Sequence, residues 1–543
     1  MQSTAPPRRC VGSWATSSDA AGTAARATES GTDVIFLLPV MTLCGLGLTA
    51  TLAGVWTSRR GAAVFALGGF FVCLFGMGIA LWLMGYAAEL GPDGVKQILP
   101  RYVAYTFAID PLSMFFATLA LGVCALSMLF SMDYVEHVLE EHHCEFLALI
   151  AFASMGVACV AAARDFITVF FSLELVSITG YLLAGMLRRD DRSVEAALKY
   201  FLLGAISSAV MLFGMSLVYG LAGTTDLLSI RMALGNEVVG GDALTQGRIA
   251  VGSIPVAHPM LITGVLAIVV GLGFKVAMVP FHQWCPDTYE GAPTPVTAFL
   301  SIGPKAAGFA AIIRVLVFAF GGDAESAPWY NVVIGLCAAT MTLGNVVACR
   351  QTNIKRMLAY SSIAHSGYIL IAVVALKSAE FAIPAILAYL VVYVLMNAGA
   401  FSVVIAFSNV ERSDDLEAYN GLMKRSPYLA VSWVIFAMSL AGLPPAAGFL
   451  GKLYVFSAAL DINVRLYWLA VVGVVNAVIS AWYYFRVTHH MFFCQPRTER
   501  PIHVQPGVGL AIALSLAGTL ILVPAFPALF SFIQDAARML GAW

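Results

Sequence analysis

Long apolar segments recur along the 543 residues of this chain and leave little choice of fold. Hydrophobic residues make up 60% of the sequence and charged residues only 11%, against about 25% charged residues in ordinary soluble domains. A helix that crosses a bilayer needs about 20 predominantly apolar residues. About fourteen such segments begin near Val34, Ala62, Phe107, Glu145, Phe166, Ala196, Pro259, Thr294, Tyr330, Ile354, Phe381, Pro427, Leu466 and Gly507.

Helices rather than strands carry these segments. The strands of a membrane barrel alternate apolar and polar residues over about ten positions, whereas the stretch from Ala196 to Gly220 shows no such alternation. We therefore predict an all-α polytopic membrane protein, with its first three transmembrane helices in residues 33–143 and its last in residues 506–534. Residues 1–32 lack the compact apolar core of a secretory signal, so we expect a disordered N-terminal extension or a misassigned start.

Two of the apolar segments contain prolines that interrupt a helix. A proline leaves the carbonyl four residues earlier without its donor, which membranes tolerate mainly where protein or a water-filled cavity replaces the lost bond. Pro280 lies just after Lys275, and Lys452 follows about two turns after Pro444 and Pro445. The carbonyls freed in this way belong to Val276, Leu440 and Ala441.

Paired interrupted segments in the two halves of a membrane protein indicate an inverted repeat with its site near the bilayer midplane. We place the repeats at residues 144–320 and 328–490, with five helices in each. The alternative is that prolines are simply commoner in membrane helices than in soluble ones. A lysine beside each of the two breaks favours the functional interpretation.

Four charged side chains lie inside these apolar segments: Glu174, Lys275, Lys305 and Lys452. An ionised group near the bilayer centre costs about 2.5–3.5 kcal/mol on insertion scales, so such residues usually mark an ion or proton pathway. Burial disfavours a charged lysine and a neighbouring carboxylate favours it, so a Glu174–Lys275 pair can act as a proton switch. The alternative is a static ion pair that fastens two helices together. Lys305 and Lys452 have no acid in their own segments, so pairing explains them less well.

The tenth segment adds a candidate proton relay. Ser361, His365 and Tyr368 share one helix face, with Ser362 beside them. Histidine can accept and pass on a proton near neutral pH, although a single membrane histidine can also serve only to hydrogen-bond two helices. We favour the relay.

Other polar groups favour simpler interpretations. Lys199 and Glu195, four residues apart at the start of a helix, fit a cap or an interfacial pair at least as well as a transport role. The cluster at residues 140–145 resembles a metal site, but consecutive charges on a short connection usually form a solvated surface. The ten cysteines form no Cys-x-x-Cys pair, so the sequence indicates neither an iron–sulfur centre nor a zinc site.

Loop charge predicts the orientation of the chain. With fourteen spans both termini share one side, and alternate loops fall into two groups, with thirteen and six Lys or Arg residues outside the N-terminal tail. Cytoplasmic loops carry the excess of positive charge, so we expect both termini on the outer side. The richer group contains Arg59, Arg60, Arg188, Arg189, Arg192, Arg350, Lys355, Arg356, Arg412, Lys424, Arg425, Arg497 and Arg500.

Long runs around the interrupted segments resemble one known family. They are residues 274–284 (FKVAMVPFHQW), 286–299 (PDTYEGAPTPVTAF), 353–368 (NIKRMLAYSSIAHSGY) and 439–452 (SLAGLPPAAGFLGK). These runs are similar to the antiporter-like membrane subunits of bacterial NADH-quinone oxidoreductase, respiratory complex I, and most closely to the subunit N type. The sister types L and M look less similar, and the resemblance covers nearly the whole chain beyond the tail.

The resemblance implies a membrane-arm subunit with fourteen helices and two inverted five-helix repeats. It implies that Glu174 and Lys275 form the ion pair of the family, that Lys305 is its central lysine, and that Lys452 is its terminal proton carrier. It also implies no cofactor in this chain, with NADH, FMN, iron–sulfur clusters and quinone in partner subunits. The implied partners are subunit M, small subunits such as K and membrane lipid, without nucleic acid, and the implied location is the bacterial inner membrane with periplasmic termini.

Two functions follow as expectations. In the first, the chain is a proton-translocating subunit driven by electron transfer from NADH to quinone elsewhere in a complex. In the second, it belongs to a multisubunit cation/proton antiporter. A purely structural role is disfavoured because four buried charges are costly to retain.

Overall fold

A computed structural model of the chain describes residues 33–86, 89–90, 96–97, 101–103, 106–139, 141–234, 258–320, 329–375, 379–460, 466–496, 498 and 500–538. The expected N-terminal extension, residues 1–32, lies outside the described residues.

Helices account for nearly all of the described chain. They are α1 Leu38–Ala53, α2 Arg59–Tyr86, α3 Pro111–His137, α4 His143–Ala162, α5 Phe166–Ala184, α6 Asp191–Ala222, α7 Leu227–Leu234, α8 Pro259–Lys275, α9 Trp284–Gly291, α10 Thr294–Ile312, α11 Tyr330–Ala348, α12 Ile354–Val374, α13 Ala379–Glu411, α14 Leu422–Arg425, α15 Pro427–Ala441, α16 Ala447–Leu460, α17 Tyr467–Phe493 and α18 Pro506–Arg538. Short 3₁₀ helices cover Asp33–Leu37 and Leu416–Tyr419, and a π-helical turn, Ile313–Ala319, extends α10. Two antiparallel hairpins pair β1 Glu89–Leu90 with β2 Lys96–Gln97 and β3 Arg101–Val103 with β4 Phe107–Ile109.

Within the described ranges, twelve helices are long and apolar enough to cross a membrane. Three shorter apolar helices, α8, α15 and α16, belong to two further segments that are interrupted, α8 followed by α9 and α15 followed by α16. The predicted all-α fold with about fourteen spans is therefore confirmed, and both breaks lie at the predicted prolines. The third span starts at Pro111 rather than Phe107, because Asp110 caps α3 by accepting a hydrogen bond from the Ser113 backbone N–H at 2.8 Å.

Close helix crossings bring the first interrupted helix against α6. A Cβ on Gly214 of α6 would lie 2.5 Å from the carbonyl oxygen of Gly264 in α8, and a Cβ on Gly271 would lie 2.4 Å from the Met211 side chain. Small residues of this kind allow membrane helices to approach backbone to backbone. The end of α8, with Lys275, is thereby held against α6.

Several of the loops that belong to the group richer in Lys and Arg meet at one end of the bundle, which we call the basic face. Residues 186–192, 290–294, 355 and 408–414 contribute to the lining of one cavity of about 630 Å³ there. Lys355 ties two of these loops together, because its ammonium lies 3.0 Å from the Ala292 carbonyl oxygen and 3.2 Å from an Asp414 carboxylate oxygen. Their convergence agrees with the division of the loops into two alternating groups.

A buried ion pair that the sequence did not single out lies near the opposite end. Arg314 and Asp110 are both almost fully buried, and two guanidinium nitrogens each lie 2.7 Å from an Asp110 carboxylate oxygen. Arg314 Nε also donates to the Ala161 carbonyl at 2.6 Å. This pair joins α10 to the start of α3 and the end of α4.

Replacing Arg314 by Met should destabilise the protein by about 3–5 kcal/mol, because Asp110 would remain buried without its partner. Thermal unfolding in detergent measures the effect. Arg164→Met is the matched control, since the Arg164–Asp226 pair is more exposed and its loss should cost less. Equal stability of Arg314→Met and the parent protein would contradict the assigned role.

Candidate functional site

Glu174 and Lys275 meet between α5 and the end of α8. The Lys275 ammonium lies 3.3 Å from a Glu174 carboxylate oxygen and 2.5 Å from the Ser177 hydroxyl oxygen. Ser208 of α6 donates a hydrogen bond to the same Glu174 oxygen at 2.5 Å. Lys275 is also the last residue of α8, where the negative end of the helix dipole favours a cation. Two hydroxyls and a helix end thus surround the pair.

The break after α8 leads toward the central lysine. The Val276 carbonyl, which Pro280 was predicted to free, accepts a hydrogen bond from the Ser366 hydroxyl at 2.7 Å. Ser366 Oγ also lies 3.3 Å from the Ser362 carbonyl oxygen. Lys305 donates to that same Ser362 carbonyl. Two serines of α12, Ser362 and Ser366, therefore connect the helix break after α8 with Lys305.

Lys305 is buried in α10 and has no carboxylate partner among the described residues. Its ammonium lies 5.6 Å from the centroid of the Tyr393 ring, within the range of a cation–π contact. The Tyr393 hydroxyl oxygen in turn lies within hydrogen-bonding distance of Ser362 Oγ at 3.1 Å and of the Ser301 carbonyl oxygen at 3.2 Å. The positive charge is thus solvated by a carbonyl dipole and an aromatic face.

His365 lies at the centre of a group of buried tyrosines. Its Nδ1 lies 2.6 Å from the Tyr389 hydroxyl oxygen and its Nε2 lies 3.4 Å from that of Tyr484. The ring of Tyr393, which contacts Lys305, lies 5.3 Å from the His365 ring, and the ring of Tyr368 lies 5.7 Å from it. The imidazole therefore lies next to side chains that surround Lys305 and Lys452, the two lysines that follow the Glu174–Lys275 pair along the chain.

Lys452 caps the carbonyl end of α15, the first half of the second broken helix. Its ammonium donates to the carbonyls of Leu440 and Ala441 at 2.9 and 2.8 Å, the two carbonyls predicted to be freed by Pro444 and Pro445. The same ammonium lies 4.7 Å from the centroid of the Tyr368 ring. Lys275 and Lys452 are thus each placed at the carbonyl end of an interrupted helix.

The structure joins the five residues singled out from the sequence into one row through intermediates. Glu174 contacts Lys275 directly, whereas the lysines are linked only through serines, tyrosines and His365. Tyr368 was singled out from the sequence, whereas Tyr389, Tyr393 and Tyr484 were missed. Tyr389, Tyr393 and Asn397 recur at a spacing of four residues in an apolar segment, a pattern that marks one polar helix face. Ser208 was missed as well.

The polar groups for which the sequence favours a role other than transport lie away from this row. Lys199 lies 2.8 Å from Glu195 and 2.9 Å from Asp287, with the Lys199 side chain 44% exposed, as expected for an interfacial pair. His142 and Glu145, in the charged cluster at residues 140–145, lie 3.6 Å apart at the surface, and Glu140 lies outside the described residues.

The described structure is thus a multi-span helical bundle with two buried lysines, Lys275 and Lys452, at broken helices. Residues 163–480 match the family described as NADH:quinone oxidoreductase/Mrp antiporter, transmembrane. The NADH-quinone oxidoreductase subunit N 2 of Symbiobacterium thermophilum is 41% identical over 488 residues, 88% of this chain and 92% of that relative. The chain therefore belongs to this family, within its NADH-quinone oxidoreductase subunit N group.

Solved structures agree with this assignment. A chain of respiratory complex I from Thermus thermophilus is 29% identical, with a TM-score of 0.70 over 91% of this chain and 98% of that one. A chain of the Mrp complex from Dietzia sp. DQ12-45-1b has a TM-score of 0.77 at 20% identity, over 93% of this chain and 97% of that one. The second likeness shows a shared fold alone.

Lys452→Met should lower the stability of the bundle, because two buried carbonyls at the end of α15 would lose their donor at about 1–3 kcal/mol each. The midpoint of thermal unfolding in detergent measures this loss. Lys424→Met, at the basic face, is the control for loss of a lysine. An unchanged midpoint in Lys452→Met would show that Lys452 does not hold α15 and α16 together.

Proposed function

We propose that this chain is a proton-translocating subunit of a bacterial NADH-quinone oxidoreductase. In this function, electron transfer from NADH to quinone takes place elsewhere in the complex and drives protons through the membrane arm. The observation that carries the proposal is the row of buried polar groups from Glu174 to Lys452, in which the backbone carbonyl next to Lys275 is linked to Lys305 by Ser366, and buried tyrosines around His365 lie between Lys305 and Lys452. A row of this kind is costly in a bilayer and serves proton transfer.

The Glu174–Lys275 pair is the switch in this proposal. Two unit charges about 4 Å apart attract by about 4 kcal/mol at an effective dielectric of 20. Separating the pair removes this attraction, so the Lys275 ammonium releases its proton more readily. Ser177 and Ser208 hold the two groups in contact until a neighbouring subunit moves α5 or α8.

Lys305, His365 and Lys452 carry the proton onward. A neutral Lys305 accepts a proton, and the tyrosines around His365 offer hydroxyls through which it passes toward Lys452. Helix ends at Lys275 and Lys452 stabilise a positive charge at both extremes of the row.

The arrangement of the two interrupted helices supports the two inverted repeats, residues 144–320 and 328–490, with the first three helices in residues 33–143 and the last in residues 506–534. In the complex we assign antiporter-like subunit M and a small subunit such as K as neighbours. We assign NADH, FMN, iron–sulfur clusters and quinone to partner subunits. The chain lies in the inner membrane, with the basic face in the cytoplasm and both termini in the periplasm.

A second candidate is a subunit of a multisubunit cation/proton antiporter, favoured by the fold shared with the Mrp complex of Dietzia. The identity of 41% to a subunit N relative, against 20% to that chain, favours the first function.

Glu174→Gln should lower proton pumping and coupled quinone reduction by at least about tenfold, since ~1.4 kcal/mol of barrier already corresponds to this factor. Acidification of inverted membrane vesicles on addition of NADH measures pumping. Glu195→Gln is the matched control, because its carboxylate is 65% exposed at the interface. Normal pumping with full NADH turnover in Glu174→Gln would refute the switch.

His365→Leu should slow proton pumping while leaving Lys305 and Lys452 in place, because it removes the imidazole ring that contacts the tyrosines around both lysines. NADH-driven acidification of vesicles, normalised to the amount of assembled complex, measures the effect. His490→Leu is the control histidine, since its ring binds Asn420 at the basic face. Equal pumping by both variants would remove His365 from the proton row.

A further inference from the structure

A mostly apolar cleft of about 530 Å³ opens beside the basic face, between α1, α4, α5 and α6. None of the residues that line it belongs to the row from Glu174 to Lys452. The hydroxyl of Thr51, a polar group in its wall, donates to the Gly47 carbonyl of its own helix at 2.9 Å. The main wall residues are Thr51 of α1, Leu149 and Phe152 of α4, Tyr181 and Leu182 of α5, and Ala197 of α6.

The depth of the cleft corresponds to part of one membrane leaflet. Glu145, in the first turn of α4, lies at its mouth and is about half exposed. Phe152 lies seven residues further along α4, or about 10 Å, and α1 touches it there, since a Cβ on Gly47 would lie 2.7 Å from the Phe152 ring. One leaflet contributes about half of the ~30 Å hydrocarbon core. The cleft therefore runs along the helix axes within the leaflet next to the basic face, as a lipid acyl chain does.

The mouth of this apolar cleft adjoins the cavity of about 630 Å³ at the basic face. His142, Met186 and Arg188 line both spaces. Arg188 is exposed and has no ion-pair partner among the described residues, and the same holds for Arg192 and Arg412, which line the larger cavity. Three guanidinium groups without a carboxylate partner in the described structure thus lie around the upper end of the cleft.

The carboxylates of the larger cavity do not neutralise these arginine side chains, because each carboxylate has another partner. The pairs are Glu290 with Arg356 at 2.8 Å, Asp414 with Lys355 at 3.2 Å, Asp190 with the Arg192 backbone N–H at 3.0 Å, and Glu141 with His142 at 4.0 Å. Glu145 at the mouth of the cleft lies 3.6 Å from His142. The rim of the cleft therefore attracts an anion.

One class of molecule matches both the apolar cleft and its rim. Basic pockets between membrane helices on the cytoplasmic side bind the head groups of anionic lipids, and we assign the basic face to the cytoplasm. Free phosphate would account for the arginines but leave the apolar walls exposed. A zwitterionic lipid would fill the cleft but leave the arginine charge uncompensated.

We propose that the apolar cleft and Arg188 form a binding site for one anionic phospholipid. An acyl chain lies against Leu149, Phe152 and Leu182, and the phosphate lies at Arg188, with the charges of Arg192 and Arg412 beside it. The bound lipid fills the space between α1 and the turn from α5 to α6. The site does not depend on the pumping function.

Photo-crosslinking in the complete complex tests this site. The complex is reconstituted in nanodiscs of phosphatidylcholine with a small fraction of phosphatidylglycerol that carries a diazirine on its acyl chain, and the labelled peptides are mapped by mass spectrometry. In the parent protein, label should appear at residues 145–152 and 181–186. Phosphatidylcholine with the same diazirine, at the same fraction, should label these peptides several-fold less.

Arg188→Gln should reduce this labelling about fivefold, the factor that corresponds to about 1 kcal/mol for one arginine near an anionic lipid surface. Arg188→Lys keeps the charge and should retain most of the label. Arg350→Gln is the matched control, because Arg350 is exposed and lines neither space. All three positions are compared at equal amounts of assembled complex.

Leu182→Trp tests the apolar wall, since a larger side chain there occupies the space of the acyl chain and should also reduce labelling. Ile178→Trp, one turn away on α5, is the control, because the two residues are similarly exposed, at 55% for Leu182 and 52% for Ile178, and Ile178 does not line the cleft. Its labelling should match the parent protein.

Absence of label from both peptides in the parent complex, as expected if a neighbouring subunit or the N-terminal residues fill the cleft, would overturn the proposal. So would equal labelling by the two lipids, or full labelling in both Arg188→Gln and Leu182→Trp. Displacement of the labelled lipid by inorganic phosphate at constant ionic strength would assign the arginines to free phosphate instead. Loss of pumping in Glu174→Gln should leave the labelling unchanged, so the lipid site and the pumping function fail separately.

Discussion

Every polar group inside a bilayer must find its partner within the protein, and the site of this chain follows from that constraint. A helix that stops in the membrane leaves carbonyls without donors. Here the carbonyls at the end of α15 are satisfied by Lys452, and the freed Val276 carbonyl is satisfied by Ser366. At the second break, the helix end and the buried charge of Lys452 therefore stabilise one another.

This mutual dependence also connects structure with function. Lys275 and Lys452 are both held by the carbonyl end of a helix, and Lys305 lies between them against a carbonyl and a tyrosine ring. Such partners stabilise an ammonium without a fixed negative charge, so a modest change in the surroundings moves a proton. Only Lys275 has a carboxylate partner in this row, Glu174, which makes the pair the natural point of control.

The sequence predicts the spans, both breaks and the carbonyls they free, because hydropathy and proline act locally along the chain. It does not predict how the freed groups are paired. The contact of His365 with Tyr389 and Tyr484 joins three helices, and only the packed bundle brings them together. Arg314 was overlooked because its aspartate partner, Asp110, lies about 200 residues earlier, at the cap of another helix.

The most direct measurement is a high-resolution electron cryomicroscopy structure of the whole complex during NADH turnover, with ordered water resolved. The proton-transfer account predicts water and hydroxyls that connect Lys275 with Lys305, and Lys305 through His365 with Lys452, in at least one state. A dry apolar gap between Lys275 and Lys305 in every state, with Glu174 and Lys275 always in contact, would contradict it and leave the charges as structural ion pairs and caps.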